Sequence, residues 1–110
     1  MNLINNEALK DHYGGDYSLV KQSILIFEDS YPKTIESLKL AIKEDDLKKI
    51  ELHAHTLKGM LLNFFAEDLI AHAYAIEKSA REGELNQASE KVTYIESKIP
   101  QFIIEIKDLD

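Results

Sequence analysis

Cysteine is missing from all 110 residues, so neither disulfides nor thiol chemistry can contribute to fold or function, and a reducing compartment is compatible with the chain. Long apolar runs are missing as well: nothing approaches the roughly 20 residues that a membrane span requires. The first residues include Asn2, Asn5, Asn6 and Glu7 and lack the basic-then-apolar order of a signal peptide, so the expected location is the cytoplasm. Positive charge is scarce. Thirteen basic side chains against twenty acidic ones leave a net charge of -7, which repels nucleic acid and anionic membranes unless a local basic patch intervenes. The chain has no such patch, so neither is an expected partner.

What remains is enough for one folded domain. Hydrophobic residues make up 45% and charged residues 30%, a globular balance rather than a disordered one. The length suits a single hydrophobic core, so residues 1–110 are expected to form one domain. No strand pattern, internal repeat, low-complexity tract or linker is evident.

Apolar residues recur every three or four positions. From Tyr17 the rhythm runs through Val20, Ile24, Phe27, Tyr31, Ile35, Leu38 and Ile42, predicting a long amphipathic helix with Asp16 as its cap. Pro32 falls inside it, yet the rhythm keeps its phase, which favours one bent helix over two short ones. The series Leu85, Ala88, Val92, Ile95, Ile99, Phe102 or Ile103, Ile106 and Leu109 passes through Pro100 in the same way. Between these lie a helix from about Asp46 to Phe64, capped by Asp45 or Asp46, and another from about Glu67 to Arg81, stopped by Gly83. Short connections favour antiparallel neighbours, so the expected fold is all-α, an up-down-up-down four-helix bundle over residues 16–110. Residues 1–15 add a short N-terminal helix over Leu3 to His12 and a Gly14-Gly15 turn, with Leu3, Ile4, Ala8 and Leu9 covering one end of the core.

The segment His53-Ala54-His55-Thr56-Leu57-Lys58-Gly59-Met60-Leu61-Leu62-Asn63-Phe64 carries the chemistry. Leu47, Ile50, Ala54, Leu57, Leu61 and Phe64 form its inward stripe, and His55 points well away from it. Relative to His55, Lys58 lies about 60° to one side, Gly59 about 40° to the other, and Leu62 about 20° away further along the helix. An exposed imidazole on a rigid helix is a good nucleophile toward phosphorus near neutral pH. Lys58 is placed to steady the negative charge of a phosphoryl group. Gly59 costs the helix about 1 kcal/mol relative to alanine, which is explained if a partner's active site must come close to the ring. Leu62 offers apolar docking area.

His55-Thr56-Leu57-Lys58-Gly59 resembles the His-x-Leu-Lys-Gly signature of histidine-containing phosphotransfer (HPt) domains of bacterial phosphorelays. The resemblance spans roughly Val20 to Gly83. It takes in Leu25 to Ile35 with Phe27 and Pro32, then Leu38, Ala41 and Asp46, and downstream Asn63, Ala66, Leu69, Glu77, Ala80 and Gly83. Membership implies a four-helix bundle, phosphorylation on His55, and exchange of the phosphoryl group with an aspartate of a response-regulator receiver domain. It implies a kinase, hybrid or otherwise, as a second partner and no enzymatic activity of its own. The domain needs no cofactor; Mg2+ and its acidic pocket belong to the partner, since this chain shows no candidate cage. Two positions depart from the family's pattern: Met60 and Leu61 stand where small residues are usual, and Phe65 replaces a common glycine. Leu61 is expected in the core and Met60 at the edge of the docking surface.

The other histidines carry less signal. His53 lies near the edge of the apolar stripe and reads as a boundary residue, while His12 and His72 have no local pattern. Zinc would need three or four converging ligands, and His53 and His55 diverge on a helix. The acidic clusters Glu44-Asp45-Asp46 and Asp108 to Asp110 read as solvated ends. The alternative to a phosphocarrier is a helical adaptor that binds a receiver or kinase through the same face without carrying phosphate; a third reading is an unrelated structural bundle. No spare apolar face remains, so a monomer is expected, and Met1 with a complete bundle favours a free-standing protein.

Overall fold

Five helices account for most of the chain in the computed structural model, which describes residues 2–85 and 87–110. They are α1 (Asn6–Tyr13), α2 (Ser18–Lys43), α3 (Leu47–Leu62), α4 (Glu67–Arg81) and α5 (Ala88–Lys107). The all-α class is as expected. At 1.5 Å per residue, 26-residue α2 spans about 39 Å, nearly the whole 42 Å long axis of the molecule. It packs against α3 and α5, and α4 packs against the same two helices, so the four long helices close a ring.

Cross-helix pairs fix their directions. Glu28 and Lys39 of α2 meet Lys107 and Glu96 of α5 respectively, so those two helices run antiparallel. Phe27 meets Phe64, and Thr34 meets Met60, which sets α3 against α2; Arg81 and Glu77 of α4 meet Glu51 and His55 of α3 in reversed order.

Both prolines lie inside unbroken helices. Pro32 and Pro100 are solvent-exposed, as are Glu28 and Glu96, whose carbonyls are the ones deprived of a donor, so the lost bonds fall on the outer side of each helix, where they cost least. The inward rhythm is undisturbed: Ile24, Ile35 and Leu38 of α2 and Ile95, Ile99 and Phe102 of α5 are fully buried. Phe27, Phe64 and Phe102 pack edge to face, with centroids 5.3 to 5.8 Å apart. Each such pair contributes about 0.5–1.5 kcal/mol beyond its buried area, and together they tie α2 and α5 to the turn after α3.

The helix ends set the lengths that place the site. Asp46 caps α3, its Oδ1 accepting from the Lys49 amide at 3.2 Å. Asp16 lies one residue outside the cap position of α2 and accepts from the Ser18 amide at 3.0 Å. Helix α4 ends in a Schellman turn, with Gly83 at φ 82° and amides of Gly83 and Glu84 returning to Ala80 and Ser79. Helix α2 ends the same way with Asp45, a non-glycine at φ 54°.

Two expected boundaries shift. Helix α1 starts at Asn6 rather than Leu3, because the Leu3 and Ile4 amides donate instead to the Glu105 carboxylate at 2.8 to 3.2 Å. Ile4 and Leu9 are nonetheless buried over one end of the core. Helix α5 starts at Ala88 rather than Leu85, which packs against the core from the preceding connection. Among the described residues no helix is long and apolar enough to cross a membrane.

Candidate functional site

His55 stands in mid-α3 with its side chain 64% exposed, while the side chain beneath it, Glu77 of α4, is 4% exposed. The turn between α3 and α4 is short, so the helices lie side by side and the face of α4 carrying Glu77 comes under the His55 ring. Nδ1 of His55 is 2.7 Å from Glu77 Oε2. A carboxylate can only accept in this contact, so the proton is assigned to Nδ1 and the lone pair to Nε2. The ring is thereby oriented and held in one tautomer, and Nε2 is the nitrogen that Glu77 leaves unengaged.

Among the described residues Glu77 is the buried charged one, and an isolated carboxylate there would be costly. Three cationic or protonatable groups surround it. Lys58 Nζ lies 2.7 Å from Oε1, a charge contact rather than an aligned hydrogen bond. Arg81 Nη2 donates to Oε2 at 3.1 Å, sharing that oxygen with His55. Burial is the largest single influence on the Glu77 carboxyl and pushes its pKa up; the contacts and charges of Lys58 and His55 together outweigh it and hold it below its ordinary value. Glu77 is therefore an anion fixed under the ring.

The expected site residues share this surface in different ways. Lys58 leans down from α3, its side chain 20% exposed, and its ammonium also sits 5.2 Å from the centre of the Tyr74 ring. Gly59 is exposed, and a Cβ built there would meet nothing within 4 Å, so nothing in this chain's own packing requires glycine. Leu62 is 50% exposed and stands on the His55 side of α3, as does exposed Leu52. Met60 is half-buried, with Sδ 3.6 Å from Thr34 Oγ1, and with Ile26, Ser30 and Asn63 it lines a groove of about 230 Å³ between α2 and α3. Leu61 is fully buried. On the other flank a hollow of about 430 Å³ is lined by Lys48, Glu51, Leu52, His55, Glu77 and Arg81.

Phe65 has φ 54°, the left-handed region where glycine carries no steric cost. Its ring packs against the core and stands 5.5 Å from His12, contacts that offset the strain. His53 is half-buried, and His72 stacks on Tyr94 with centroids 4.3 Å apart. Among the described residues no group of three or more His, Asp or Glu is arranged to hold a metal ion.

Glu77 and Arg81 are the residues around His55 that the motif alone does not reveal. The signal for Glu77 is its place on α4 among Leu69, Ala73, Ile76 and Ala80, all buried: an acid at helical spacing with a core stripe must find a cation, and Lys58 and Arg81 are that cation pair. Arg81 follows at i+4, the spacing that brings it back to Glu77.

Compared with known proteins, the chain matches the Hpt domain family model over residues 22–109. No curated protein and no solved structure matches it.

Proposed function

Because this chain belongs to the Hpt domain family, whose members are phosphotransfer modules of phosphorelay signalling, we propose that it carries a phosphoryl group on His55 and exchanges it with aspartates of response-regulator receiver domains. The observation that carries the proposal is an exposed imidazole with its Nδ1 held 2.7 Å from a buried carboxylate.

In the transfer, Nε2 attacks the phosphorus of a receiver's aspartyl phosphate, the N–P bond forms, and the acyl P–O bond breaks with the aspartate leaving as carboxylate. The proton stays on Nδ1, so the ring acquires positive charge as the N–P bond forms. Glu77 is already in place as the counter-anion, which costs no reorganisation at the moment of reaction. Reversal returns the phosphoryl group to a second receiver by the same path. Mg2+ supplies charge neutralisation from the receiver's own acidic pocket, and the kinase or receiver supplies the catalytic machinery; this chain is the carrier. Gly59 gives the partner clearance, and Leu62 gives it apolar area beside the ring.

A pure adaptor has no use for a buried anion under an exposed histidine, which is what favours the carrier over it. Incubation with a phosphorylated receiver should move acid-labile label onto the wild-type protein. Unchanged labelling of His55→Gln would overturn the assignment.

A further inference from the structure

We infer that Arg81, rather than the motif's Lys58, is the cation that touches the phosphoryl group on His55, in the hollow between α3 and α4. The inference rests on the phosphocarrier reading and names the group that stabilises its cargo.

The hollow of about 430 Å³ is lined by His55 together with Lys48, Glu51 and Arg81. Lys58 does not line it. The Lys58 ammonium is turned inward onto Glu77 at 2.7 Å and lies against the Tyr74 ring, so meeting a phosphoryl group would mean abandoning a buried carboxylate. Arg81 also holds Glu77, but through one guanidinium nitrogen, so it can meet a phosphoryl group without letting that carboxylate go. Its side chain is 53% exposed, with Nε donating to Glu51 Oε2 at 2.8 Å and Nη2 donating to Glu77 Oε2 at 3.1 Å. Those contacts use two of the five N–H donors of a guanidinium. They also anchor its plane, because Glu77 Oε2 accepts from both Arg81 and His55 Nδ1, which sets the guanidinium beside the ring.

A phosphoryl group brings a charge of about -1.5 to -2 at neutral pH and three acceptor oxygens. The planar fork of arginine suits those oxygens better than an ammonium does. Glu51 has the opposite effect: its carboxylate lines the same hollow, pairs with Arg81, and repels an incoming phosphoryl group.

The Arg81–Glu51 pair makes the test decisive, because Arg81→Gln and Glu51→Gln break the same ion pair while removing charges of opposite sign. A scaffolding role moves both variants in the same direction; a role on the phosphoryl group moves them in opposite directions. Wild type, Arg81→Gln, Arg81→Lys and Glu51→Gln are labelled with phosphoramidate. Nε2 takes the phosphoryl group, the P–N bond breaks and ammonia leaves. The rate is followed by mass, and the last ionisation of the attached phosphoryl group is titrated by 31P NMR.

Arg81→Gln should label roughly fivefold more slowly and show that ionisation at higher pH, whereas Glu51→Gln should label faster and show it at lower pH. Arg81→Lys should recover part of the ionisation shift. Equal ionisation in wild type and Arg81→Gln, or the same direction of change in Arg81→Gln and Glu51→Gln, overturns the inference and leaves the carrier reading standing. Failure of phosphoramidate and of a phosphorylated receiver alike to label the wild type overturns both.

Discussion

Replacing Glu77 by glutamine keeps the size of the side chain and removes the one charge around which His55, Lys58 and Arg81 are arranged. Taking one partner from a buried ion pair costs about 3–5 kcal/mol when the charge left behind stays buried. Here the charges left behind have escape routes: Arg81 is 53% exposed and Lys58 20%. The expected loss of stability at pH 7 is therefore smaller, about 1–2 kcal/mol. The effect on transfer is separate. A carboxylate under a ring that is becoming positive is stronger than a neutral amide by about 1–2 kcal/mol, which corresponds to a roughly 5- to 30-fold slower phosphoryl uptake. The glutamine amide can also donate to Nδ1 and so favour the wrong tautomer.

The pH dependence has a definite sign. The Glu77 carboxyl is held below its ordinary value of 4.5 in the folded protein, so its contribution is complete above that value and is lost as the pH falls through the lower, folded one. Urea denaturation should show wild type ahead of Glu77→Gln at pH 7, with the gap closing on the acid side of pH 4.5. Single-turnover labelling from a phosphorylated receiver measures the rate. Equal stability at pH 7 together with wild-type labelling would refute the role given to Glu77.

Gly59→Ala should stabilise the free protein by up to about 1 kcal/mol, since a Cβ there meets nothing within 4 Å, yet slow transfer from a receiver; thermal unfolding and receiver-dependent labelling read the two effects independently. Asp45→Gly should raise the unfolding midpoint by a few degrees, because Asp45 sits at φ 54° in the Schellman turn after α2 and a left-handed non-glycine costs about 1 kcal/mol; calorimetry checks it, and labelling should be unaffected.

Much of the fold was legible because burial imposes a period. The apolar positions of α2 and α5 kept their phase through Pro32 and Pro100, and both prolines lie in continuous helices. Asp46 was legible as a cap because a local hydrogen bond satisfies it. The start of α1 was not, because the acceptor that captures the Leu3 and Ile4 amides is Glu105, about a hundred residues away in sequence. The site divides along the same line. The angular position of His55 follows from α3 alone, and its ring is exposed. The behaviour of Lys58 depends on what α4 presents to it. A lysine at i+3 from the histidine has no visible partner on α3, and the neighbouring helix supplies one in a buried carboxylate. The family's preference for glycine near position 65 has its physical reason in the backbone, where Phe65 takes a left-handed conformation and holds it by packing.

The central claim is a phosphoryl group on one atom of one residue, Nε2 of His55. The direct measurement uses 15N-labelled protein phosphorylated by a phosphorylated receiver, with the imidazole nitrogens read by NMR. Nε2 of His55 should carry the phosphorus while Nδ1 keeps its proton against Glu77. Phosphorus on Nδ1, on another residue, or still present after His55→Gln would contradict the account.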